Sequence, residues 1–166
     1  MSDDDPAWPP SAFWDFSLAF YAEPAVRDAC LALQDERGLD VNLILLAAWL
    51  ARAGRGVEPA LARQLRAISD RHQTSIMRPL REARRALDPD AAEPWLAPRV
   101  ARQRRALLAV ELELERLEQL QLERLVTPPA SERAAADGAL FRDSLATLYP
   151  DLKVPSCDVQ QLAELV

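Results

Sequence analysis

Nine consecutive apolar residues, at positions 43–51, restrict the fold of this chain more than any other segment. A helix built from such a run has no polar face to turn toward water, so neighbouring helices must cover it on all sides. The run is less than half of the about 20 residues that a membrane-spanning helix needs. We therefore expect a buried central helix and no association with a membrane.

The composition extends this prediction to the whole chain. Alanine (29) and leucine (27) dominate the 166 residues, whereas valine, isoleucine and threonine together number 15 and glycine 4. A sheet requires β-branched residues and turn glycines, and a nucleotide-binding loop requires closely spaced glycines. The composition therefore excludes all-β and parallel α/β folds and Gly-rich phosphate loops. It predicts an all-α fold of one domain.

Apolar spacing and helix-ending residues predict a single-domain bundle of six or seven helices. The predicted helices cover residues 11–22, 24–38, 41–54, 59–87, 99–126, 131–148 and 156–165. The third of them contains the apolar run and is therefore the central, buried helix. Asp40 is placed to cap it, and Asn42 to serve its first turn. Pro79 is expected to kink or split the fourth helix.

The spacing of apolar residues also predicts which helix faces point inward. For the fourth helix the inward residues are Leu61, Leu65, Ile68, His72 and Ile76. For the long helix over residues 99–126 they are Val100, Leu107, Val110, Leu114 and Leu117.

The chain divides into four parts by composition. Residues 1–10, with three aspartates and three prolines, are expected to be a disordered acidic N-terminus. Residues 11–126 form the helical core, and residues 127–130 a proline-containing linker. The two short helices within residues 131–166 then either pack on the core or bind a partner.

Few residues are arranged for catalysis or for metal binding. His72 is the only histidine, and Cys30 and Cys157 lie far apart without a C-x-x-C spacing. No nucleophile motif accompanies His72, whose place on an apolar helix face is typical of a buried, hydrogen-bonded histidine. We therefore expect no metal site and no cofactor, and the sequence favours a protein that is not an enzyme.

Three glutamates, Glu111, Glu115 and Glu118, share one side of the long helix. One interpretation is a carboxylate row that binds a cation or a partner. The alternative is ion pairing with arginines of a neighbouring helix, or exposure to solvent.

Arginines form the densest positive feature of a chain whose net charge is −6. Six of them are the candidate residues for binding a ligand or a partner: Arg78, Arg81, Arg84, Arg85, Arg102 and Arg105. Arginine forks match the geometry of phosphates and carboxylates, but helical spacing places most of these residues opposite the apolar face, as on a solvated surface. Because the net charge is negative and aromatic residues hardly interleave with the cluster, we expect no nucleic-acid partner.

Three segments resemble a family of small, uncharacterised proteobacterial proteins of about this length. They are FWDFSLAFYAEPAVRDACLALQDERGLDVNLILLAAWLA over residues 13–51, RPLREARRAL over 78–87, and AVELELERLEQLQLERL over 109–125. The resemblance covers residues 13–125 and leaves residues 131–166 unmatched. It implies a cytosolic bacterial helical protein and brings no catalytic residues with it.

These observations favour a cytoplasmic protein-interaction or regulatory module over an enzyme. The acidic start of the chain carries neither a positive region nor an apolar stretch of a secretory signal. The partner we expect is another protein. The alternative is a binding protein for a small acidic or amphipathic ligand, with arginines at the mouth of its pocket.

Overall fold

The computed structural model describes residues 7–126, 137–151 and 157–166. Within these ranges the chain forms eight α-helices, one π-helical turn and no strand, which confirms the predicted all-α fold. The elements are α1 (Ala12–Tyr21), α2 (Pro24–Arg37), α3 (Val41–Arg52), α4 (Pro59–His72), the π-turn (Gln73–Met77), α5 (Arg78–Ala86), α6 (Ala97–Glu123), α7 (Gly138–Leu148) and α8 (Cys157–Leu165). Because α4, the π-turn and α5 follow one another without a break, they correspond to the predicted fourth helix.

The helix that contains the apolar run lies at the centre of the bundle. Every residue of α3 from Asn42 to Ala51 is buried, and α1, α2, α4, α6 and α7 all pack against it. The predicted central helix is therefore confirmed. In the part of the chain that the structure describes, no helix is both long and apolar enough to cross a membrane.

Two capping residues set the short connection between α2 and α3. Gly38 ends α2 in the left-handed conformation, with φ of 68°, which costs glycine little because it lacks a β-carbon. Asp40 then begins α3, and its carboxylate accepts a hydrogen bond of 2.8 Å from the backbone N–H of Asn42. The predicted cap is confirmed, and it fixes where the central helix starts.

The π-turn before Pro79 changes which residues of the fourth predicted helix face inward. A proline ring clashes with the carbonyl of the preceding turn, and the wider π-turn accommodates this by taking up about one extra residue. The residues that follow are therefore rotated by about 100° relative to a continuous α-helix. The prediction that Ile76 faces inward is wrong: Ile76 is exposed and Met77 is buried instead.

The long helix α6 buries its polar side. Val110 and Leu117, predicted to face inward, are exposed, which corrects the predicted stripe. The buried residues of α6 are Glu111, Glu118, Gln119 and Leu122. Polar partners on the facing helices explain this orientation, because buried polar groups are stable only when they are hydrogen-bonded or paired.

The helices α7 and α8 pack on the bundle. Phe141, Leu145 and Leu148 of α7 join the core cluster, and α8 packs along α2 and α7. Gly138 lets α7 approach α8 closely, since a β-carbon there would overlap the carbonyl oxygen of Ala163. The predicted linker at residues 127–130 and most of the predicted disordered N-terminus lie outside the described residues.

Truncating the central helix tests its role as the core of the bundle. Replacing the fully buried Leu46 by alanine should lower the free energy of unfolding by about 2–5 kcal/mol, because a cavity remains among helices that cannot close it. The exposed Leu117→Ala serves as the control and should change the free energy by less than about 1 kcal/mol. Denaturant unfolding measures both, and equal stabilities of the two variants would contradict the architecture.

Candidate functional site: a buried polar network beneath two clefts

The Asp40 carboxylate joins the start of α3 to the end of α4 and to the π-turn. Besides capping α3, it accepts hydrogen bonds from the hydroxyl of Ser69 and, at 3.2 Å, from the side-chain amide of Gln73. The backbone N–H of Asp40 donates to the hydroxyl oxygen of Tyr149 at 3.0 Å. Asp40 is buried, so these donors take the place of water around its oxygens.

Glu118 of α6 lies next to this carboxylate and is fully buried. Its Oε2 accepts from the amide Nδ2 of Asn42 at 2.8 Å and from Gln73 at 3.4 Å. The Asn42 Oδ1 in turn accepts from Gln119 at 2.8 Å. Asn42 therefore links α3 to α6 through its side chain, which corrects the prediction that it serves the first turn of its own helix.

Burial and the neighbouring Asp40 carboxylate raise the pKa of Glu118 to about 10. Two like charges this close in a buried site are unfavourable, so one of the two acids keeps its proton. Glu118 is thus a neutral carboxylic acid near pH 7, beside the Asp40 carboxylate.

His72 closes the network on the side of α4. Its Nε2 lies 3.8 Å from Glu118 Oε2 and has no hydrogen-bond partner among the described residues. Burial lowers the pKa of His72, against the opposing effects of the Asp40 charge and a backbone hydrogen bond with Leu114. The histidine is therefore neutral near pH 7 and faces a neutral acid, not a counter-ion.

Two ion pairs join α5 to α6 beside the network. Arg81 donates to Glu115 at 3.0 Å and to Gln73 at 3.3 Å, and Arg84 donates to Glu111. The predicted pairing with arginines of a neighbouring helix is confirmed for these two glutamates. Helical spacing without the π-turn places the two arginines outward. The rotation that the π-turn introduces brings them to the inner side of α5.

Two clefts open above the network. The smaller, of about 470 Å³, lies between α1, α2, α3, α5 and α6. The larger, of about 810 Å³, lies between α2, α4, the π-turn, α5 and Tyr149. Six residues line both clefts: Leu31, Gln34, Asp40, Gln73, Arg81 and Arg84. The clefts therefore meet at the two paired arginines of α5.

The six candidate arginines fall into three groups in the structure. Arg81 and Arg84 are half-buried where the clefts meet. Arg78 and Arg85 line the larger cleft but not the smaller one. Arg102 and Arg105 are exposed on α6 and line neither of these clefts. The structure thus brings four of the six together.

The sequence interpretation missed the buried network itself. Helical spacing places Glu118, Gln119 and Leu122 on one side of α6, but the leucines elsewhere on the helix gave a stronger apolar pattern. The one available signal was Asn42, a polar residue at the start of an otherwise apolar helix. Such a residue needs a buried partner on another element.

The fold and the network define an all-α bundle with a buried acid–amide centre beneath two polar clefts. The chain belongs to the family of proteins of unknown function DUF2390, whose family model matches residues 12–122. The expected family resemblance is thereby confirmed. The matched segment runs from α1 into the last turn of α6 and contains Asp40, His72 and Glu118. No curated protein and no solved structure matches the chain.

The protonation of Glu118 predicts a specific pH dependence of stability. Between the ordinary pKa of glutamate and about 10, the folded protein holds a proton on Glu118 that the unfolded chain has lost. The free energy of unfolding should therefore fall as the pH rises through this window, at up to about 1.4 kcal/mol per pH unit. In Glu118→Gln, an uncharged near-isostere of the protonated acid, this decline should largely disappear.

Denaturant unfolding from pH 7 to pH 9 measures this dependence, above the range in which His72 changes its protonation. The exposed Glu113→Gln on the same helix is the control and should keep the parent's slope. A parent whose stability does not fall in this range would show that Glu118 is ionised in the folded state.

Removing the Asp40 carboxylate should cost more than removing an ordinary helix cap. Asp40→Ala deprives the helix start, Ser69 and Gln73 of their common acceptor, so we expect a loss of about 2–4 kcal/mol. The matched control is Asp137→Ala, which removes the half-buried cap of α7 and should cost about 1 kcal/mol. Chemical denaturation compares the two, and equal losses would show that the network adds nothing to the cap.

Proposed function

We propose that this protein binds a small amphipathic anion, whose apolar part lies in the smaller cleft and whose acidic group lies against Arg81 and Arg84. The observation that supports this most strongly is the meeting of an apolar wall and two fixed arginines in one cleft. Its volume of about 470 Å³ falls within the range of about 300–1,000 Å³ that is usual for small-molecule sites.

The apolar wall comes from α1 and from the middle of α6. Trp14, Leu18 and Tyr21 line the cleft on one side, and Leu112 lines it on the other. Leu18 and Leu112 are each 52% exposed. A ligand with an apolar body removes this surface from water, which contributes about 25 cal/mol for each Å² that is buried.

The two arginines are held in place before any ligand arrives. Arg81 donates one hydrogen bond to Glu115 and a second to Gln73. Arg84 donates one to Glu111. A guanidinium carries five N–H donors, so both arginines keep donors for a carboxylate, sulfonate or phosphate group. Because the arginines are already positioned, less side-chain conformational entropy is lost when the ligand binds.

The cleft also contains polar atoms that lack a partner. Ser17 and Gln119 line it, and each has a buried side-chain oxygen with no hydrogen-bond partner among the described residues. Such atoms favour a ligand that carries a hydrogen-bond donor in addition to its acidic group.

A second candidate function is the binding of a protein partner through an acidic surface. Arg102 and Arg105 lie outside both clefts, are exposed, and have no ion pair among the described residues. The exposed Leu108 lies on the same helix close by. A partner with carboxylates around an apolar centre complements this surface, and Arg102→Glu/Arg105→Glu should then abolish its capture.

Binding of an amphipathic anion can be tested with 8-anilino-1-naphthalenesulfonate. The folded protein should bind one equivalent saturably, with a rise in the dye's fluorescence. Leu18→Gln/Leu112→Gln removes the exposed apolar wall and should weaken binding at least about tenfold. The change keeps helix-forming residues at exposed positions, so the fold should be retained.

The control variant is Val110→Gln/Leu117→Gln, which removes a similar exposed apolar surface from α6 outside the cleft. It should bind the dye as the parent does. Equal weakening in both double variants, or binding without saturation, would contradict the proposed function.

A further inference from the structure

Arginines are concentrated in the lining of the larger cleft. Six arginines from three elements line it: Arg37 of α2, Arg66 of α4, and Arg78, Arg81, Arg84 and Arg85 of α5. Four acidic residues also line it: Asp35, Asp40, Asp70 and Glu82. The formal charges of the lining sum to +2 and, with the α6 glutamates that pair with Arg81 and Arg84, to zero, in a protein whose net charge is −6. The cleft is therefore a concentration of arginines on an acidic protein.

Half of these arginines are free to bind a ligand. The side chains of Arg37, Arg78 and Arg85 are exposed, and their guanidiniums have no hydrogen bond or ion pair among the described residues. The other three are engaged by the protein itself. Arg66 donates to the Leu148 carbonyl, and the two arginines at the meeting of the clefts are held by glutamates of α6. The three free arginines come from two elements of the lining, Arg37 from α2 and Arg78 and Arg85 from α5.

The acids of the lining do not neutralise these three. Asp40 is buried, and its oxygens are occupied by donors of α3, α4 and the π-turn. Asp70 lies 3.9 Å from Arg66, the arginine already engaged. Asp35 and Glu82 are exposed and form no ion pair with the three arginines.

The rest of the lining offers little apolar or aromatic side-chain surface to a ligand. Leu31 and Leu39 are the leucines of the lining, and Leu39 is buried. Tyr149 is its aromatic residue, but the guanidinium of Arg66 covers the ring at 5.4 Å from its centre. The tyrosine oxygen already accepts from the Asp40 backbone. A base or another aromatic group thus finds no free ring on which to stack.

We propose that the larger cleft binds the phosphate groups of a small, polar, non-aromatic molecule, with Arg37, Arg78 and Arg85 as the phosphate-binding residues. A phosphate dianion has three oxygens that accept in several directions, which suits guanidiniums from two different helices better than a planar carboxylate does. This site is independent of the proposed amphipathic ligand, because these three arginines do not line the smaller cleft.

Isothermal titration calorimetry with inorganic pyrophosphate, at a constant ionic strength of about 0.15 M, tests the site under screening conditions. The parent should bind one equivalent saturably. Arg78→Gln/Arg85→Gln should weaken binding at least about tenfold. Arg102→Gln/Arg105→Gln removes the same charge from exposed positions of α6 outside the cleft and should leave binding within about threefold of the parent.

Comparing ribose 5-phosphate with adenosine 5′-monophosphate tests the non-aromatic assignment, since the two differ by the base. We expect affinities within about threefold of one another, and an advantage of tenfold or more for the nucleotide would overturn that part of the proposal. Absence of saturable pyrophosphate binding, or equal weakening in both double variants, would overturn the site itself.

The dye titration separates this proposal from the proposed function. Arg78→Gln/Arg85→Gln should bind 8-anilino-1-naphthalenesulfonate as the parent does, because neither residue lines the smaller cleft. A phosphate site without dye binding would leave the larger cleft as the binding site of the protein. Loss of dye binding in this variant would show that the two clefts act as one, which contradicts the independent phosphate site.

Discussion

The Asp40 carboxylate is the point on which the centre of this structure depends. It begins the central helix α3, and the same oxygens hold the end of α4 and the π-turn through Ser69 and Gln73. A buried carboxylate is costly unless donors surround it, so the three elements must stay together for any of them to be stable there. Asp40 therefore ties the π-turn, which leads into α5, to the start of α3.

Protonation of Glu118 lowers the cost of burying two acidic side chains, Asp40 and Glu118, next to each other. If both acids were ionised, two negative charges would lie side by side without a cation, since the arginines of α5 pair with Glu111 and Glu115 instead. With its proton, Glu118 is a neutral member of a hydrogen-bonded chain that runs through Asn42 to Gln119. The neutral His72 beside it agrees with this charge distribution. Polar partners inside the bundle thus orient the long helix α6, which leaves several of its leucines in water.

The clefts are a consequence of the same geometry. The helix α5 buries none of its residues and reaches the bundle through its arginines, so it stands away from α2 and leaves open space on both sides of the ion pairs. The smaller cleft acquires its apolar wall from α1 and α6, and the larger most of its arginines from α5. Two neighbouring clefts with different linings thus lie beside a helix that buries none of its own residues.

The sequence by itself determined the helical class, the central position of α3 and the caps at Gly38 and Asp40, because these depend on local composition and spacing. For the three α6 glutamates it left two interpretations open, and pairing with arginines of a neighbouring helix holds for Glu111 and Glu115. Only the tertiary structure decided which side of α6 is buried and which arginines of α5 face inward. Those outcomes depend on the extra residue of the π-turn and on hydrogen bonds between groups far apart in the chain, such as Asn42 and Glu118. The spacing of polar and apolar residues within one helix does not reveal whether a polar side chain has a hydrogen-bond partner on another helix. A polar helix face that has such partners is buried as stably as an apolar one.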